Sequence, residues 1–167
     1  GVQTCALPIS SAFNSSFMLL DQLKDQTRAK MQDAVDGLNL LTKELASVNS
    51  RILSSGQSGK SPNSLLDLRD NLINDISVLA DVSVSYTDRG VANLTIGSSG
   101  VGPSLVEGSA KNQIGFFERY DRIGGLQIVL NPLSSKTPTS QLSAGMLAGL
   151  SEAYGAIESV INQTNQL

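Results

Sequence analysis

From Phe13 to Leu53 the chain contains no proline and one glycine, Gly37. A stretch of that length without a breaker reads as a single long helix. Its apolar positions are Leu20, Met31, Ala34, Leu38, Leu41, Leu45, Val48 and Ile52. From Met31 onward the steps alternate three and four, the heptad spacing of a helix packed lengthwise on another. Lys24 and Thr27 continue the seam toward the N-terminus in weaker form. Gly37 costs roughly 1 kcal/mol against alanine inside a helix. A helix this long draws most of its stability from burying its apolar face on partners. The spacing therefore predicts a mainly α chain with at least one more long helix.

That second helix follows at once. Ser54 to Asn63 is a Ser/Gly joint, and Ser61, Pro62 or Asn63 opens the next helical stretch. Leu65, Leu68, Leu72, Ile76 and Leu79 share one face of it, so residues 10–80 read as an antiparallel helical hairpin. At Asp81 the period drops from helical to two. Val82, Val84 and Tyr86 alternate, Thr87 to Gly90 turns, and Ala92, Leu94 and Ile96 alternate again, which is a β-hairpin. Ser104 to Gly108 and Ile114 to Leu130 read as further strands, broken at Gly124-Gly125. Asn131 to Ser140 reads as a linker. From about Ser140 a third helix is expected, with Met146, Leu147, Leu150, Tyr154, Ile157 and Ile161 as its apolar face. Gly145, Gly149 and Gly155 leave it weak unless it packs closely. The expected fold is one domain: a helical hairpin (10–80), a small β region (81–139) and a third helix (140–167) packing on the helical part.

Composition narrows the function classes. The chain has 167 residues, no histidine, no tryptophan and one cysteine. The commonest general base and metal ligand is thus missing, and one thiol forms neither an internal disulfide nor a thiolate metal cage. No cofactor, metal or catalytic residue is expected, and the chain does not read as an enzyme. The net charge is −3 and no basic block is present, which argues against nucleic acid. No apolar run is long enough to cross a bilayer.

Four short stretches invite a sharper reading. In "SSGQSGKS" the phosphate-loop pattern would need glycine where Ser54 stands, and a strand before it rather than a helix, so the stretch reads as a joint. "GSSGVGP", Gly97 to Pro103, has no dinucleotide-binding spacing and reads as a turn region. "GFFERYDR", Gly115 to Arg122, holds three of the seven aromatics and reads as a half-buried strand with its charges in water. "LLDLRD", Leu65 to Asp70, sets Asp67 and Asp70 beside Arg69, a surface ion-pair cluster worth under about 1 kcal/mol.

The run "KSPNSLLDLRDNLINDISVLADVSVSYTDRG" resembles the flagellar hook-associated protein 1 family. That family carries Ser-Pro-Asn, then Leu-Leu-Asp-x-Arg-Asp, then spaced leucines and a Val-rich hairpin. Here the matching residues are Ser61, Pro62, Asn63, Leu65, Leu66, Asp67, Arg69 and Asp70. In the preceding helix Val35, Leu38, Asn39, Leu41, Thr42, Ala46 and Asn49 are similar to the family's pattern, and "SLVEGSA" to the segment after its hairpin. The resemblance is good from Phe13 to Ala110. The last helix keeps Gly145, Leu147, Gly149 and Leu150 but lacks the family's Arg-Asp. The resemblance implies an extracellular structural subunit at the bacterial hook–filament junction. It also implies self-assembly into a ring or tube, contacts with hook protein and other hook-associated proteins, and allows an export chaperone. The residues expected to carry this by packing are Met31, Ala34, Leu38, Leu41, Leu45, Val48, Ile52, Leu72, Ile76 and Leu79. A coiled-coil interaction module of another extracellular or tail-fibre assembly is the alternative the residues leave open.

The first nine residues, "GVQTCALPI", stand apart. They have neither the charged start nor the apolar core of a signal peptide. They translate from GGA GTT CAG ACG TGT GCT CTT CCG ATC, which resembles a sequencing-library adapter read in frame. Gly1 to Ile9, with Cys5, are expected to be an artefact, which independent reads of the gene across Ser10 decide.

Overall fold

The computed structural model describes residues 6–55, 63–119, 125–134, 137–138 and 142–165, and the side chains of these from residue 11 onward except at 137–138. The first helix, α1, spans Ala6–Ser55, 50 residues. At the α-helical rise it is about 75 Å long. It starts seven residues earlier than the spacing predicts, with Pro8 in its first turn, where the missing N–H is no loss. Cys5 lies outside the described residues, as does most of the joint, from Gly56 to Pro62. The second helix, α2, spans Asn63–Leu79, and the third, α3, spans Gly145–Thr164. The start of α3 lies five residues beyond the expected one; Leu142 to Ala144 run into it without helical structure.

Between α2 and α3 the described residues form seven strands in two antiparallel sheets. The first sheet orders β1 (Val82–Tyr86), β2 (Ala92–Ile96), β3 (Ser104–Glu107) and β4 (Ala110–Lys111) side by side. The second orders β5 (Ile114–Glu118), β6 (Leu126–Leu130) and β7 (Thr137–Pro138). The β1–β2 hairpin pairs Val84 with Leu94, as its alternation requires. Between β2 and β3 the register slips at Leu94/Thr95, a bulge that leaves Leu105 and Val106, neighbours in sequence, both buried. The expected linker from Asn131 is corrected: it contains β7, whose Pro138 pairs with Val129 and Thr137 with Leu130. A two-residue edge strand that includes a proline carries almost no period, and proline is tolerated there because an edge needs fewer donors.

The helices share one axis of packing. Leu79, at the end of α2, touches the Gly37 side of α1. The backbone of Gly145, at the start of α3, lies against Ala80, which follows α2. Thus α2 and α3 follow one another along α1, both antiparallel to it, and α3 packs chiefly on α1. The core formed this way contains Met31, Ala34, Val35, Leu38, Leu45, Ala46, Val48 and Ile52 from α1, and Leu72, Ile73 and Ile76 from α2. Leu41 and Leu79 are half-buried at its margin. Two helical expectations are corrected. Leu68 of α2 and Met146 of α3 are exposed, and Ile73 is buried instead of Leu68. The buried residues of α2 are Leu72, Ile73 and Ile76, so its inner face is offset from the expected one. The β region contributes Ala92, Leu94, Ile96, Leu105, Val106, Ile114 and most of β6 to the same core.

Two glycines test this packing from opposite sides. Gly145 has φ +85 and a Cβ there would meet the Ala80 backbone at 2.9 Å. Gly37 is an ordinary helical residue whose Cβ would lie 3.7 Å from Leu79 Cδ1, normal contact. Gly37→Ala should therefore raise stability by about 0.5–1 kcal/mol. Gly145→Ala should lower it by more than about 1 kcal/mol, because backbone strain and a clash with main chain add. Chemical denaturation of the two variants reads both signs; stabilisation by Gly145→Ala would disprove the α2–α3 contact.

Candidate functional site

The β region is held to α1 by side chains that grip backbone. Asn49 is completely buried. Its Nδ2 donates to the Ala92 carbonyl at 2.8 Å and to the Gly108 carbonyl at 2.8 Å, and its Oδ1 accepts from the Ala92 N–H at 3.1 Å. Asn39, ten residues earlier, treats Ile114 the same way: Nδ2 to the carbonyl at 2.8 Å and Oδ1 from the N–H at 2.9 Å. Each carboxamide thus stands where a neighbouring strand would otherwise pair, meeting one peptide's donor and acceptor together. Asn49 holds β2 of the first sheet, and Asn39 holds the start of β5 of the second. Ten residues of helix separate the two anchors by about 15 Å along α1.

A polar thread joins the sheets to each other. Asn112 Nδ2 donates to the Ser104 carbonyl at 2.7 Å, and Asn131 Nδ2 donates to Asn112 Oδ1 at 3.0 Å. Asn131 adopts φ +50, the left-handed region that asparagine enters more readily than most residues. Its own N–H donates to the Gln113 carbonyl at 2.7 Å.

Arg69 is the second anchor. Its side chain is only 11% exposed, so the reading of "LLDLRD" as a surface cluster is corrected. The guanidinium donates from Nη1 to the Gly90 carbonyl, bonds Asp70 Oδ1 through Nε and Nη2 at 2.8 and 2.7 Å, and lies 4.6 Å from the centre of the Tyr86 ring. It clamps the β1–β2 turn onto α2 by charge-assisted hydrogen bonds and a cation–π contact. The remaining residues of the stretch sit around it. Leu65 and Leu66 pack against the core from its margin, and Asn63, Asp67 and Asp70 are exposed. Ser61 and Pro62 lie outside the described residues.

The third anchor ties α3 down. Arg28 Nε meets Glu118 Oε1 at 2.7 Å, and the buried Tyr154 hydroxyl hydrogen-bonds Glu118. Ser151 Oγ donates to the Leu126 carbonyl at 2.7 Å, and Glu158 Oε2 accepts the Gly125 N–H at 2.6 Å. Asp81 accepts from both the N–H and the hydroxyl of Ser143, just before α3 begins. The expectation that the charges of "GFFERYDR" face water is corrected at Glu118. Its carboxylate is half-buried between the exposed Arg28 and the buried Tyr154 phenol, both far away in sequence. Tyr120 to Arg122 lie outside the described residues.

Sequence reasoning missed the action of the two asparagines, although both fall within the helix pattern on which the family resemblance rests. Each follows a seam residue, Leu38 or Val48, and so stands beside the alternating series, where the heptad spacing gives no signal of burial. Glu118 and Tyr154 carry no local signal either, because only the fold brings them together.

A long helix that carries two small sheets on side-chain-to-backbone bonds defines a helical scaffold domain. Among the described residues no three His, Cys, Asp or Glu side chains gather to hold a metal, and no helix is long and apolar enough to cross a membrane. Residues 2–167 match the model of the family described as the flagellar hook-associated protein FlgK helical domain. Flagellar hook-associated protein 1 of Escherichia coli K12 is 36% identical over 111 residues, covering 63% of this chain and 20% of that protein. The Bacillus subtilis protein of the same name is 26% identical over 162 residues, covering 89% of this chain and 32% of that one. The solved flagellar hook junction protein FlgK from Burkholderia pseudomallei superposes with a TM-score of 0.71 at 26% identity, over 89% of this chain and 26% of its own. The chain belongs to the FlgK helical domain family. It spans between about a fifth and a third of the length of these relatives.

Two measurements follow from the anchors. Asn49→Ala would leave the Ala92 N–H and the Ala92 and Gly108 carbonyls without their partner, so stability should fall by about 3 kcal/mol. Asn49→Asp should fall further, because a carboxylate would face two carbonyls. Urea unfolding of the purified chain gives the order, and an Asp variant as stable as wild type would contradict the latch.

Tyr154 supplies the pH test. Burial, then the neighbouring Glu118 and Glu158 carboxylates, push its hydroxyl up from 10.0 to about 12. A raised folded value means this contribution is whole below pH 10 and is lost as pH climbs toward the folded value, because the unfolded chain ionises first. The loss runs at about 1.4 kcal/mol per pH unit within that window. Tyr154→Phe should flatten the alkaline limb of a stability–pH profile while leaving its slope at neutral pH unchanged.

Proposed function

We propose that this chain is a structural segment of the bacterial flagellum, outside the cell, at the junction of hook and filament. The family match over residues 2–167 carries this reading, and the likeness to a solved hook junction protein supports it. Its partners are copies of itself in a ring or tube, hook protein and other hook-associated proteins, with an export chaperone before assembly. The work is mechanical. The seam from Met31 to Ile52 and the Leu72–Ile76 face stiffen a rod, and the asparagine and arginine anchors fasten the β region to it.

One surface feature fits a segment that meets neighbours. In the N-terminal part of α1, Met18 is 70% and Leu19 67% exposed, and Phe13 and Leu23 are also exposed. Clustered exposed apolar side chains of this kind mark contact surfaces more often than isolated ones do.

The test is an exchange. This chain replaces the matching segment of the E. coli hook-associated protein 1 in a strain lacking its own copy. Swimming in soft agar and filaments attached to hooks by electron microscopy are expected. A chimaera that is exported and recovered intact but leaves hooks bare would overturn the proposal.

A further inference from the structure

Apart from Lys24, which turns to Asp21, the seam that holds α3 to α1 repeats without a residue that defines its register. The buried residues of α3, Leu147, Tyr154 and Ile161, recur every seven residues. So do Met31, Leu38, Leu45 and Ile52 on α1, with Phe17 and Lys24 continuing the row toward the N-terminus. A repeat of seven facing a repeat of seven packs nearly as well after a slide of one heptad, and polar residues in the seam are what break such ties.

The placement of α3 makes the ambiguity one-sided. Gly145 abuts Ala80, Leu79 touches Gly37, and Tyr154 reaches Arg28 through Glu118. Tyr154 lies nine residues into α3 and Arg28 nine residues before Gly37, so the two helices run antiparallel with residue 154 beside residue 28. Sliding toward the C-terminus of α1 is blocked, because α2 already occupies that length. Sliding the other way is open. It would carry Ile161 from the level of Leu20 to that of Phe13 and Phe17, over apolar surface that α3 now leaves exposed at Phe13.

The geometry points to Arg28, Glu118 and Tyr154 as the register lock of α3, selecting the present alignment against one displaced by a heptad toward the N-terminus of α1. In the displaced alignment Leu147 would take the place of Tyr154 beside Glu118. The carboxylate would lose its phenol donor while still paired with Arg28. The Ser151–Leu126, Glu158–Gly125 and Ser143–Asp81 bonds and the Gly145–Ala80 contact would break as well, since none of these partners repeats every seven residues. Tyr154 and Glu118 are thus positioning residues: they choose between two packings of the same seam. This inference concerns the chain alone and stands whether or not the junction reading holds.

The test measures alignment rather than stability. Spin labels at Ser50→Cys on α1 and Ser159→Cys on α3, both exposed, in a Cys5→Ser background, report one distance along the helix axis. Wild type should show a single distance by pulsed electron resonance. The near-isosteric pair Tyr154→Phe and Glu118→Gln keeps volume in the seam while removing the selective bond. It should show a second population about 10 Å longer, one heptad of helical rise. Adding Ser151→Ala and Glu158→Gln should enlarge that population. A single unchanged distance in the four-residue variant, with helical circular dichroism retained, would overturn the lock. Loss of helical signal in the Tyr154→Phe, Glu118→Gln pair would overturn it too, because the trio would then be holding α3 folded rather than choosing its alignment.

Discussion

Everything in the β region depends on the demand of a buried peptide group for partners. Strand ends that dock on a helix lose water and have no neighbouring strand to replace it. An unpaired N–H or carbonyl there costs about 1–3 kcal/mol. Asn49 and Asn39 meet that demand from within α1, each giving a donor and an acceptor to one residue of the approaching chain. Once they are in place, β3 and β5 lie against α1, and the apolar side chains of both sheets join the core of the helices. Among the described residues no buried side-chain nitrogen or oxygen is left without a partner, so the polar positions in this core are answered.

This explains why the apolar face of α1 is wider than a coiled-coil seam. A two-helix seam needs two positions per heptad. Here Val35, Thr42, Ala46 and Asn49 are buried besides the alternating series, because strands β3 to β5, as well as α2 and α3, pack on α1. Thr42, also fully buried, turns its hydroxyl back to the Asn39 carbonyl at 3.1 Å, satisfying itself within the helix. Small and short polar residues at these positions let backbone approach closely, where leucine would hold the sheet away.

How much of this the sequence shows follows from the range of each interaction. The three helices and the β1–β2 hairpin are periodic, and period survives in a linear string. Their ends are less legible: α1 begins at Ala6, and α3 only at Gly145, where Ala144 makes no side-chain cap. β7 was invisible because two residues have no period. Arg69 reads as an ordinary helical ion pair because, besides Asp70, its partners Gly90 and Tyr86 lie on a hairpin that only the fold brings over it. The trio of Arg28, Glu118 and Tyr154 spans the whole chain, so no local pattern announces it.

The anchors also divide the labour of the molecule in a way that suits a rod. Apolar packing along α1 is strong but repetitive, and repetition resists bending better than it resists sliding. The polar contacts are few, directional and non-repeating: Asn39 and Asn49 on one flank, Arg69 at the far hairpin, Glu118 beneath α3. Each bonds particular backbone groups or side chains that do not recur along the helix. Burial therefore supplies the cohesion, and the sparse hydrogen bonds supply the alignment. A scaffold made only of the first would be stable in several registers, whereas one made only of the second would lack the apolar area to fold.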